Sequence, residues 1–147
     1  LQAFKLTKGI DIDTYADFML GFPTETKEEM HKTISFAIEL DPDFVQFAIT
    51  TLYPGTELYR WAFEKKVLSS DFWKEFSAHP YLPISPPLWT EHYAREELLD
   101  VLDTAYKRFY ARPRYLLKRL LKIRTPKEFI RQCRMGMKVV FKDNGKS

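Results

Sequence analysis

Between Tyr15 and Thr50 the sequence passes from strand signals to helix signals and back within about 35 residues, an order that leaves few folds open. Tyr15-Ala16-Asp17-Phe18-Met19-Leu20 is a short, mostly apolar run closed by Gly21 and Pro23, as in a buried strand. Thr26-Lys27-Glu28-Glu29 has the spacing of a capping box, in which Thr26 caps a helix and Glu29 reaches back to its amide. Met30, Ile34, Ala37 and Ile38 then share one helical stripe, which Asp41-Pro42 ends. Phe44 to Thr50 reads as the next strand, rich in β-branched and aromatic residues and stopped by Pro54-Gly55. Strand, helix and strand at this spacing predict a parallel pair with a right-handed crossover.

Downstream the periodicity is helical. Thr56 to Lys66 predicts a helix with Leu58, Trp61 and Ala62 on one face, and Ser70 is placed to cap a short turn around Phe72, Trp73 and Phe76. Pro80, Pro83, Pro86 and Pro87 break regular structure before a long helix from Glu91 to Tyr110, striped by Leu98, Leu102, Ala105 and Phe109. Tyr115 to Ile123 predicts a basic amphipathic helix, with Leu116, Leu117, Leu120 and Leu121 opposed by Lys118, Arg119 and Lys122. Thr125-Pro126-Lys127-Glu128 is a second capping box, opening a helix that carries Phe129, Ile130, Cys133, Met137, Val140 and Phe141.

Composition removes several classes. With 45% hydrophobic residues, 12 Phe, 8 Tyr and 3 Trp among 147, the chain is not disordered. One cysteine, Cys133, excludes a disulfide framework, a Cys-ligated zinc site and a self-contained iron–sulfur cluster. The longest stretch without Asp, Glu, Lys or Arg, Phe76 to Thr90, is 15 residues with four prolines, too short and broken for a membrane span. No basic-then-apolar leader opens the chain, and Leu1 in place of Met points to a piece of something longer. A cytoplasmic location is expected. Of the net charge of +3, Arg112 to Lys142 carries +10 (eleven Lys/Arg and Glu128), leaving −7 on the rest. That asymmetry reads either as a solvated helix face or as a contact surface for something anionic, with peripheral membrane binding in view.

Catalytic constellations are absent. His31, His79 and His92 are scattered, Cys133 sits on an apolar stripe, and the pairs Glu28/Glu29 and Glu96/Glu97 stand at helix starts, where the dipole favours them. Two strand ends are more informative. Gly21-Phe22-Pro23-Thr24-Glu25-Thr26 follows the first strand and Tyr53-Pro54-Gly55-Thr56 the second, at the edge where parallel α/β sheets place their ligands. Either is equally readable as an ordinary turn.

Three runs then resemble one family: Phe18-Met19-Leu20-Gly21-Phe22-Pro23-Thr24-Glu25-Thr26, Thr33-Ile34-Ser35-Phe36-Ala37 and Tyr53-Pro54-Gly55-Thr56-Glu57-Leu58-Tyr59. They are similar to the second half of the catalytic barrel of radical S-adenosylmethionine enzymes, in the branch with a cobalamin-binding domain. The resemblance covers residues 9 to 60. It implies an α/β fold: a truncated piece of a TIM-like barrel over residues 1–68, with two parallel strands and one crossover helix. A mostly α-helical extension with the basic tail would follow over residues 69–147. It also implies that Met19, Leu20 and Gly21 meet the adenine of S-adenosylmethionine, that Glu25 supports this loop rather than moving a proton, and that Tyr53, Pro54 and Gly55 lie near the cofactor or substrate. Thr24 stands where the family pattern has a second glycine, and Asp17 where a related motif has one.

The family's Cys-x-x-x-Cys-x-x-Cys motif, which ligates a [4Fe–4S] cluster, is missing from this chain, as are the first four barrel strands and any cobalamin domain. The resemblance thus implies a fragment of an iron–sulfur oxidoreductase or methyltransferase, without catalytic or metal-ligating residues of its own, whose main partner is the missing N-terminal half. The rival reading is a basic helical module that docks an anionic membrane or an acidic partner; nucleic acid is disfavoured for want of a reading motif. If half a barrel is missing, Phe18 and Phe47 are expected on its uncovered inside, and the open strand edge is expected to pair two copies of the fragment.

Overall fold

The computed structural model describes residues 2–8, 10, 12–80 and 83–122. Among them the order is α1 (Gln2–Lys8), β1 (Tyr15–Leu20), α2 (Lys27–Leu40), β2 (Phe44–Ile49), α3 (Glu57–Glu64), α4 (Phe72–Ala78), α5 (Arg95–Tyr110) and α6 (Pro113–Lys122). The expected helix after Thr125, with its capping box and Cys133, lies outside the described residues.

β1 and β2 pair in parallel, Tyr15 opposite Phe44 and Leu20 opposite Ile49, and α2 connects them. The architecture is α/β with two strands; no wider sheet forms among the described residues. The capping box is complete: the Glu29 amide donates to Thr26 Oγ1 at 3.2 Å and the Thr26 amide donates to Glu29 Oε2 at 2.8 Å. Asp41, in the left-handed region at φ 50°, turns the chain out of α2.

Strand parity decides the core. Ala16, Leu20, Val45, Phe47 and Ile49 are buried against Met30, Ile34 and Ala37 of α2 and Leu98, Ala105 and Phe109 of α5. Phe18 and Phe47 are therefore on the covered side of the sheet, not on an open inner face. Their rings stack at 5.6 Å, and Phe47 meets Tyr106 and Phe109 edge-on. The reason lies in alternation: Tyr15, Asp17, Met19 and Gln46 occupy the other face and are exposed, which fixes the even positions of β1 inward. Leu98, Ala105 and Phe109 thus share one core with the two strands and α2.

A smaller cluster joins Leu52, Tyr59, Ala62 and Trp89, with Leu58, Val67, Leu68 and Trp73 packed around it. Here Tyr59 is inside and Trp61 exposed, contrary to the expected stripe. Asp71, not Ser70, caps α4: its carboxylate accepts from the Lys74 amide at 3.1 Å and from the Tyr59 hydroxyl at 2.6 Å. α5 starts at Arg95 rather than Glu91, where Glu97 Oε2 accepts from the Ala94 amide at 2.9 Å.

α6 turns its leucine side outward, an orientation its sequence left open. Leu116, Leu117 and Leu120 are 49%, 59% and 51% exposed. Lys118 Nζ lies 3.0 Å from Asp43 Oδ1, and the Arg119 guanidinium sits 4.6 Å over the Phe44 ring. Asp43 is the cause. Its carboxylate is buried at the foot of β2, where an uncompensated charge would be costly, so the cationic side of α6 is drawn inward. Among the described residues no helix is long and apolar enough to cross a membrane.

Candidate functional site

The carboxyl ends of both strands lie side by side because Thr50, the residue after β2, ties them together. Its amide and its Oγ1 donate to the Leu20 carbonyl at 2.9 and 3.1 Å. From this knot the Gly21–Thr26 loop and the Thr51–Thr56 loop leave as neighbours.

In the first loop Glu25 is the organiser. Its Oε2 accepts from the amides of Gly21 at 2.7 Å and Phe22 at 3.2 Å, and its own amide donates to the Phe22 carbonyl at 2.9 Å. A carboxylate that holds two amides stabilises a loop. Gly21 has φ +73°, and a Cβ built on it would stand 3.0 Å from Leu98 Cδ2. The space that this glycine leaves is thus filled by α5. Of the other residues that the resemblance carried here, the Leu20 side chain is fully buried and its carbonyl is taken by Thr50. Met19 projects from the uncovered sheet face and is 60% exposed. Thr24, absent from the residues with positive φ, needs no glycine-like backbone.

Beside Met19 on that face, the Tyr15 hydroxyl donates to Gln46 Oε1 at 2.7 Å. Desolvation, then the nearby Asp17 carboxylate, push the Tyr15 hydroxyl above its ordinary value.

In the second loop Gly55 turns the chain at φ +79° in open space, and Thr56 caps α3 through the Tyr59 amide at 3.2 Å. Thr56 Oγ1 also donates to the Tyr53 carbonyl at 2.7 Å. The exposed Tyr53 ring stacks on Trp73 at 5.4 Å and 22°, and Trp73 Nε1 donates to the Leu52 carbonyl at 2.6 Å. Burial, then the Asp71 carboxylate, raise the Tyr59 hydroxyl to about 12. Gly55, Thr56, Glu57, Tyr59 and Arg60 line an open recess here, and Pro54, next to Gly55 in the chain, is exposed. The sequence placed Trp73 in a short turn and Leu98 on a helical stripe but linked neither to this edge, since each reaches its partner from a distant element.

The edge offers backbone groups, an aromatic stack and a carboxylate already engaged with amides. It presents no nucleophile–base pair, and among the described residues no group of three or more His, Cys, Asp or Glu could hold a metal ion. An iron–sulfur cluster does not fit the donors of this chain, which has one cysteine in its whole length.

The chain matches no family model and no solved structure. It is similar to an uncharacterized methyltransferase of Pyrococcus horikoshii, 37% identical over 118 residues, which are 80% of this chain and 25% of that protein. It is also similar to two anaerobic magnesium-protoporphyrin IX monomethyl ester cyclases. That of Cereibacter sphaeroides is 31% identical over 74% of this chain and 17% of the cyclase. That of Rubrivivax gelatinosus is 28% identical over 90% and 22%. The chain spans a quarter or less of the curated relatives it matches, and its likeness is to part of a methyltransferase and part of two cyclases.

Proposed function

We propose that this chain is part of a larger radical S-adenosylmethionine enzyme, a methyltransferase or oxidoreductase, in which it supplies a wall of the cofactor site and no catalytic group. The observation that carries the reading is the Glu25-held loop after β1 lying beside the Tyr53–Thr56 turn. Both fall at the carboxyl edge of a parallel pair, and relatives with methyltransferase and cyclase names support it. S-adenosylmethionine, when bound, supplies the transferable methyl group or the adenosyl moiety. Met19 and the Gly21 loop then form the adenine side, and Tyr53, Pro54 and Gly55 the side toward substrate. Cluster ligands, and cobalamin if the enzyme uses it, belong to the rest of the longer protein. The barrel is completed by that same remainder.

The test is S-adenosylmethionine titration of the longer protein by calorimetry. Met19→Arg, at an exposed position, is expected to weaken binding at least tenfold (about 1.4 kcal/mol) with thermal stability unchanged. Unchanged affinity in the folded variant would move the cofactor elsewhere.

A second reading is kept because α6 turns three leucines outward: the basic C-terminal region docks an anionic membrane surface through inserted leucines.

A further inference from the structure

Two parallel strands leave two outer edges, and the structure treats them differently. The Phe44 amide donates to the Thr14 carbonyl and the Thr50 amide to the Leu20 carbonyl, both at 2.9 Å. In a parallel ladder this register turns the even positions of both strands toward each other. The amides and carbonyls of Val45, Phe47 and Ile49 therefore point out of the far edge of β2, and those of Tyr15, Asp17 and Met19 out of the far edge of β1.

On β2 two of the three outward residues, Val45 and Phe47, are met by α5, and the carbonyl of the third, Ile49, accepts from Thr51 Oγ1 at 3.1 Å. The Tyr110 hydroxyl accepts from the Val45 amide at 3.1 Å and donates to the Val45 carbonyl at 2.9 Å. The Tyr106 hydroxyl does the same for Phe47, at 3.1 and 2.9 Å. Spacing permits it: four helical residues rise about 6 Å and two strand residues about 6.6 Å. Each hydroxyl thus takes the place of the donor and acceptor that another strand would offer. Higher on the same edge, Thr51 forms an antiparallel bridge with Leu88, and the Leu52 amide donates to the Pro87 carbonyl at 2.9 Å. The α5 hydroxyls thus seal β2 at Val45 and Phe47, and the Pro87–Leu88 segment covers the chain just beyond its end.

On β1, among the described residues, nothing hydrogen-bonds the outward backbone of Tyr15, Asp17 or Met19. The approach to this strand is also uncovered: α1 leads into it, and Leu6, Ile10 and Ile12 are 69%, 65% and 55% exposed.

We propose that the Tyr106 and Tyr110 hydroxyls terminate the sheet at β2, so that this chain accepts a further strand only at β1. The occupant is a strand parallel to β1 from polypeptide ahead of α1, with α1 as the returning half of its crossover. The helix-then-strand order fits a crossover of that kind, and relatives about three times as long or longer have the chain to supply it. A second copy is the poorer occupant. Two β1 edges related by a twofold would pair antiparallel, and centred on the middle outward residue they would set Asp17 opposite Asp17, a destabilising like-charge pair. The proposal does not rest on the cofactor reading.

Site-resolved amide hydrogen exchange tests it, on the 147-residue chain and on the longer protein. In the short chain Val45 and Phe47 are expected to exchange at least about a hundredfold more slowly than Tyr15, Asp17 and Met19. In the longer protein all five are expected to be protected. Tyr106→Phe/Tyr110→Phe, which keeps the rings, should speed exchange at Val45 and Phe47 while Gln46 and Ala48, bonded to β1, stay protected. Should the variant not fold, the wild-type pattern in the two lengths decides alone. Unchanged protection of Val45 and Phe47 in the folded variant would overturn the seal. Fast exchange of Tyr15, Asp17 and Met19 in the longer protein would overturn the occupant. So would protection of those residues in the short chain that rises with concentration alongside dimers in light scattering.

Discussion

Gly21 joins two constraints that act in the same direction. At φ +73° an L side chain loses about 1 kcal/mol, and its Cβ would press Leu98 Cδ2 at 3.0 Å. Gly21→Ala is therefore expected to destabilise the fold by about 2 kcal/mol in urea unfolding, part conformational and part steric. In a Leu98→Ala background the steric part disappears, and the same substitution should then subtract only about 1 kcal/mol. Equal losses in both backgrounds would show that the clash with α5 contributes nothing. The consequence for the site is practical. Substitution at Gly21 reports on packing before it reports on any ligand, whereas Met19 projects from the uncovered face and reports on that face alone.

At the scale of elements, α6 shows how one buried charge orients a helix. The pairing of Lys118 with Asp43, the Tyr115 hydroxyl donating to the Asp43 carbonyl at 3.0 Å and Arg112 reaching the Ile38 carbonyl at 3.0 Å all hold its polar side on the body of the protein. Its leucines consequently face outward with little role in stability. Leu116→Ser/Leu117→Ser/Leu120→Ser is expected to change the unfolding free energy by less than about 1 kcal/mol, as exposed substitutions do. If the region docks on membranes, the same triple variant should abolish co-sedimentation with anionic vesicles at high salt, where leucine insertion outlasts screened charge. Undiminished sedimentation of the variant would remove the leucines from any membrane contact.

Asp43 also links three elements of the whole molecule. Its Oδ2 accepts from the Thr14 amide at 3.0 Å and from Thr14 Oγ1 at 2.9 Å, joining the entry of β1 to the foot of β2, and Lys118 adds α6. Burial opposes its ionisation, but the Thr14 donors and Lys118 outweigh it and hold the carboxyl well below the usual carboxylate range. In the unfolded chain this carboxyl returns to about 3.9, so the folded state binds fewer protons between the two values. Its contribution is then complete above about pH 5 and is lost as the pH falls through the ordinary value toward the folded one. Urea midpoints from pH 7 to pH 3 should fall steeply for the wild type. Asp43→Asn should start lower at pH 7 and slope less, and identical slopes would assign the acid sensitivity to other groups.

Across the molecule, what could be read from sequence alone was what neighbouring residues decide. β1, the capping box of Thr26 and Glu29, the end of α2 at Asp41 and the order strand–helix–strand rest on signals within a few positions, where local sterics and hydrogen bonds dominate. The positions of the two loops at the carboxyl edge were legible for the same reason, from Gly21 and Pro23 after β1 and Pro54-Gly55 after β2. Tertiary structure decided the rest. Periodicity marked the apolar stripe of α6 but not whether it faces in. That depended on Asp43, 75 residues before Lys118, whose buried charge outranked the leucines. Alternation marked two faces of the sheet but not which one α5 would cover, so Phe18 and Phe47 went to the opposite side from the one expected. The hydroxyls that close β2 were invisible in a helix stripe, because Tyr106 and Tyr110 gain their meaning only against backbone 59 and 65 residues away. Hydrogen bonds and charges buried between distant segments are set by the packing that brings them together, and no local pattern encodes that packing.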